Sequence, residues 1–107
     1  MIFEVFEYQV VGIADNGEKA IQMYKKFPEK PDIVLMDHRM PIKDGIETTK
    51  ELLLINGHAK IFFLSADISI KQLALNSGAV DFLEKPFRVN QLINGIKNIL
   101  NSKFNHK

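Results

Sequence analysis

The chain has 107 residues, of which 46% are apolar and 25% charged, with a formal charge of +1 and no cysteine. That length holds one domain around one core, and the composition is that of a globular domain rather than a disordered segment. Near-neutral charge gives no overall pull toward nucleic acid or membrane, no run reaches membrane-span length, and the missing thiols exclude disulfides and thiolate metal sites, in keeping with a reducing cytosol.

Residues 1–8 mix aromatics with Glu4 and Glu7 and read equally as a short strand or a helix end. Gln9 to Ala14, β-branched at Val10, Val11 and Ile13, predicts a strand ending at Asp15. Asp15-Asn16-Gly17 offers cap residues for a helix from about Glu18 to Phe27, with Ala20, Tyr24 and Phe27 on one face; Pro28 and Pro31 close it. Asp32 to Met36 is the most informative stretch. Its uninterrupted apolar run, bounded by turn signals, predicts a strand buried on both faces of a parallel sheet, with Asp37 at its carboxyl end.

From Gly45 to about Leu54 a second helix is expected, with Ile46, Thr49 and Leu53 inward and Asn56-Gly57 as its stop. Lys60 to Leu64 is another short apolar strand, ending at Ser65. Ser69 can cap a helix through Asn76 with Leu73 and Ala74 on the core side, and Gly78 lies past its end. Val80 to Leu83 is the last strand, followed by Glu84, Lys85 and Pro86. A final helix from about Asn90 to Lys103 places Leu92, Ile93, Ile96, Ile99 and Leu100 on one stripe. Gly95 within it costs roughly 1 kcal/mol relative to alanine. From Lys85 onward there are five Lys or Arg and no Asp or Glu, so this helix is basic.

Strands alternating with helices across short loops imply parallel strands joined by right-handed crossovers. The carboxyl ends of a parallel sheet share one rim, which brings Asp15, Asp37, Ser65 and Lys85 toward a common point although they are distant in sequence. Each has a plain structural alternative: a helix cap for Asp15, a turn residue for Asp37 and Ser65, a solvated charge for Lys85. Together they suit phosphoryl transfer to an aspartate. The carboxylate attacks phosphorus, the ammonium neutralises developing charge, the hydroxyl donates a hydrogen bond, and a divalent cation normally completes such a site.

The segment Met36-Asp37-His38-Arg39-Met40-Pro41-Ile42-Lys43-Asp44-Gly45 resembles the phosphoacceptor motif of the receiver domains of two-component response regulators. Ala14-Asp15-Asn16-Gly17-Glu18-Lys19-Ala20, Leu64-Ser65-Ala66, Gly78-Ala79-Val80-Asp81-Phe82-Leu83 and Lys85-Pro86-Phe87 match that family in order and approximate spacing. The resemblance implies a single receiver domain over residues 1–107, without an effector domain. Its fold is the flavodoxin-like doubly wound parallel α/β sheet of order 2-1-3-4-5. By the same resemblance Asp37 is the phosphoacceptor and Lys85 and Ser65 attend the phosphoryl group. Mg2+ is the cofactor, bound by Asp37 and the backbone carbonyl of Arg39. Ser65 and Phe82 form the switch, and Lys85-Pro86 is a cis bond. The implied partners are a sensor histidine kinase or phosphotransfer protein and a downstream protein target, met through the last two helices and the strand between them. The implied location is cytoplasmic; nucleic acid and membrane are not among the partners.

The match departs from the family at the N-terminus, where the first strand, its acidic pair and most of the first helix have no counterpart, leaving four recognisable strands. The missing strand exposes an edge of the Ile33 strand, to be covered by association with a copy of itself or another chain, residues 1–8 or a partner strand filling the gap, or by internal repacking of the Gln9 segment. Without the acidic pair, Mg2+ binding is expected to be weak and phosphorylation slow; nothing in the spacing of Glu4, Glu7 or Asp15 makes them substitutes. A degenerate receiver, acting as a phosphorylation-independent interaction module, is the alternative reading. An aspartate-nucleophile phosphatase would need a second aspartate where Arg39 stands, and no glycine-rich loop supports nucleotide binding.

Overall fold

The computed structural model describes residues 8–38 and 43–105. Among them lie three strands, β1 (Val34–Asp37), β2 (Ile61–Ser65) and β3 (Asp81–Glu84), and four α-helices, α1 (Gly17–Lys26), α2 (Gly45–Ile55), α3 (Lys71–Asn76) and α4 (Val89–Asn105); a 3-10 turn, Ile68–Ile70, leads into α3. The strands form one parallel sheet in the order β1-β2-β3, with Met36 opposite Phe63 and Phe63 opposite Phe82. The central strand β2, Ile-Phe-Phe-Leu-Ser, is buried on both sides, as a parallel strand must be when its crossovers are helices.

Side chains alternate across the pleat, and the two faces build two cores. Met36, Ile61, Phe63 and Phe82 point to one face, where Ile21 and Tyr24 of α1, Ile46 and Leu52 of α2 and Ala74 of α3 close over them. Phe62 points to the other and meets Leu92, Ile93, Ile96 and Ile99 of α4, with Tyr8, Ile33, Leu35 and Leu100 at the margin. Helices on both faces of a parallel sheet are the expected doubly wound layering. Gly95 owes its place in α4 to this packing, because a Cβ there would lie 2.5 Å from Cζ of Phe62. A residue that weakens the helix in isolation lets it sit directly on the sheet.

Several local expectations need correction. The Gln9 to Ala14 segment is not a strand: it makes no ladder, and Val10, Val11 and Ile13 are exposed, Ile13 by 75%. The four expected strands are therefore three among the described residues. β-branched composition favours extended backbone, but a strand also needs a neighbour, and the strand that the resemblance places between this segment and β1 has no counterpart among the described residues. Leu73, expected inward on α3, is half exposed, while Ala74 is fully buried. On α2 the inward set is Ile46, Thr48, Thr49 and Leu52, with Leu53 half-buried beside it. The cap of α1 is Asn16, whose side chain accepts from the Lys19 N–H at 2.9 Å, rather than Asp15.

Candidate functional site

The carboxyl ends of all three strands open on one side. β1 delivers Asp37, β2 delivers Ser65, and Lys85 follows β3 directly, its N–H donating to the Ser65 carbonyl at 2.9 Å. Asp37, Ser65 and Lys85, together with Ala66 and Asp67, line an open cleft of about 380 Å³. Lys85 Nζ lies 3.0 Å from Asp37 Oδ2, so the ammonium donates to the carboxylate across 48 residues of sequence. Both side chains keep a solvent face, 39% and 48% exposed, so reagents reach the carboxylate. Ser65 is only 5% exposed; its Oγ accepts from the Asp67 N–H at 3.0 Å, which fixes the oxygen and leaves its proton to be donated elsewhere. The Lys85-Pro86 bond is cis, as expected.

The turn after Asp37 is closed from both ends. The Gly45 N–H donates to the His38 carbonyl at 3.1 Å, and Asp44 caps α2 by accepting from the Glu47 N–H at 2.9 Å. Gly45 is required there because a Cβ would fall 2.6 Å from the Asp37 carbonyl oxygen and 2.9 Å from Phe63. Lys43 pins the same turn to two helices, pairing with Glu51 of α2 and, at 3.5 Å, with Glu18 of α1. The hydrogen bond to Glu51 raises its pKa; desolvation opposes this, and the fields of Glu51 and Glu18 add to it.

Of the four strand-end residues expected to converge, three do. Asp15 does not; it stands away from the cleft, 78% exposed, in an i,i+4 pair with Lys19. With no strand at Gln9 to Ala14, nothing carries Asp15 to the rim. Asp67 is the lining carboxylate that sequence reasoning passed over. Its Oδ1 accepts from the Ser69 N–H at 3.0 Å, and this aspartate-x-serine turn two residues past a strand end was the available signal. Arg39, Glu4 and Glu7 lie outside the described residues. Among the described residues no group of three acidic or histidine side chains could hold a metal. Magnesium takes one or two carboxylates together with waters and phosphate oxygens, and of the expected ligands Asp37 is the one among the described residues.

A family model for the response regulator receiver domain matches residues 1–97. The chain belongs to that family. Similar receivers include the chemotaxis protein CheY of Thermotoga maritima, 38% identical over 86% of this chain and 77% of that protein. The receiver domain protein of Clostridium thermocellum superposes with a TM-score of 0.86 at 25% identity, over 95% of this chain and 82% of that one. A CheX-CheY-BeF3-Mg2+ complex from Borrelia burgdorferi gives 0.83 at 27% identity, over 96% and 75%. The flavodoxin-like receiver fold is thereby established, and its place is in two-component or chemotaxis signalling. No described helix of this receiver is long and apolar enough to cross a membrane.

Proposed function

We propose that this receiver takes a phosphoryl group on Asp37 from a phosphohistidine donor and uses it to change a protein-binding face. The observation that carries the reading is the 3.0 Å contact of Lys85 Nζ with Asp37 Oδ2 inside a cleft that Ser65 also lines. A carboxylate oxygen forms the new bond to phosphorus while the donor's P–N bond breaks; its electron pair stays on the departing imidazole. Lys85 is already beside the carboxylate and neutralises charge as the phosphoryl group arrives, and the Ser65 hydroxyl is free to donate to a phosphoryl oxygen. Phe82, 8% exposed, is the aromatic whose position follows Ser65. The face so altered comprises α3, β3 and α4. The Borrelia CheY relative, crystallised with BeF3, Mg2+ and the protein CheX, supports a cleft that serves an anion and a surface that serves a protein. The module acts as a cytoplasmic binding switch rather than as an enzyme on a separate substrate.

Incubating the chain with acetyl phosphate and magnesium and following intact mass tests this. We expect slow incorporation of one phosphoryl group in the wild type and none in Asp37→Asn. No incorporation in the wild type, or equal incorporation in Asp37→Asn, overturns the reading and leaves a phosphorylation-independent interaction module.

A further inference from the structure

His38 follows Asp37 directly and is not among the residues that line the cleft. The ring lies against Phe63, centroids 6.0 Å apart and planes tilted by 39°. Phe63, with no exposed surface, stacks in turn on Phe82, centroids again 6.0 Å apart and planes within 10° of parallel. Because Phe63 and Phe82 are register partners on adjacent strands, the three rings make a row across the sheet, from the Asp37 turn to β3. The row has no slack. A Cβ on Gly45 would lie 2.9 Å from Phe63 Cζ and 2.8 Å from the His38 Cα, so the α2 start is seated on both. One member carries an unmet polar group: His38 Nδ1 is buried and has no hydrogen-bond partner among the described residues. A buried polar atom left unpaired is disfavoured, so a shift of the turn that gives Nδ1 a partner is favourable.

We infer that His38 and Phe63 are positioning residues that link the Asp37 turn mechanically to Phe82, by a route separate from Ser65. Close-packed interiors transmit displacement in this way, because rings in contact have no free volume into which a shift can dissipate. The inference rests on the reading of Asp37 as the modified residue only for its signalling meaning; the coupling itself exists in the unmodified protein.

The test is aromatic-ring NMR of the unmodified full chain. His38→Ala is expected to shift the ring resonances of Phe63 and Phe82 and to leave Phe62, on the opposite face, unchanged. The effect on Phe82 should vanish in a Phe63→Leu background and persist in a Ser65→Ala background. Phe63→Met, closer in volume, serves as a second background should Phe63→Leu lose its amide dispersion. An unmoved Phe82, or an effect of equal size with and without the Phe63 ring, overturns the inference. In a second arm with acetyl phosphate, Phe63→Leu should modify Asp37 at the wild-type rate and lose the part of the Phe82 response that does not run through Ser65; a full response there also overturns it. A wild type that takes no phosphoryl group refutes the proposed function and leaves the first arm to decide the coupling.

Discussion

Replacing Lys85 with methionine separates what the Asp37 contact does for stability from what it does for chemistry. At 3.0 Å two unit charges attract by about 1.4 kcal/mol in water-like dielectric. Exposure of 39% and 48% keeps the pair near that limit, and side-chain entropy and salt reduce the net worth to roughly 0.2–1 kcal/mol. The methionine keeps most of the apolar stem, so little packing is lost. Lys85→Met should therefore lower stability by about 0.5 kcal/mol, or about 2–4 °C in Tm for a domain of this size. Phosphoryl transfer should suffer more, because the ammonium is fixed where negative charge accumulates. Loss of one such preorganised donor slows reactions by about 10²–10³-fold. Paired measurements decide it: a urea midpoint for each protein, and initial rates of Asp37 modification by intact mass over matched incubations. A stability loss above about 2 kcal/mol with an unchanged rate would refute the assignment and make Lys85 a structural residue.

Gly45→Ala should destabilise the domain by about 1–3 kcal/mol, the usual range for overpacking, since the new methyl meets the Asp37 carbonyl oxygen and the Phe63 ring rather than a flexible side chain; an unchanged urea midpoint would contradict the close approach. Lys43→Met should be less stable than wild type at neutral pH. Because the folded-state pKa of Lys43 is raised, its contribution is full below the ordinary lysine range, while its partners stay charged, and fades as pH rises through the raised value, so on the alkaline side the gap between the two proteins should close in strong alkali. A gap that closes in mild alkali, before the ordinary lysine range is reached, followed by urea midpoint against pH, would assign the effect to another group.

What could be seen in the chain before its coordinates were known follows the range of the forces involved. The apolar run into Asp37, the α4 stripe of Leu92, Ile93, Ile96 and Ile99, and the parallel alternation are set by local periodicity, and they reappear with ends shifted by a residue or two. Parallel topology then brings the three strand tips together, so Asp37, Ser65 and Lys85 could be grouped without knowing a single distance.

Gln9 to Ala14 shows where local reasoning stops: its β-branched residues favour extension, yet with no neighbouring ladder it forms no strand, and Asp15 stays off the rim. Leu73 failed for a related reason, since helix periodicity cannot say how deep a short helix sits, and the seat of Gly95 on the Phe62 ring was out of reach of the same reasoning. Residue order alone determined which side chains stand at the ends of which apolar runs. Only the folded arrangement decided that Asp67 joins the cleft and that His38, Phe63 and Phe82 lie in a row, because both depend on contacts between segments that no spacing along the chain encodes.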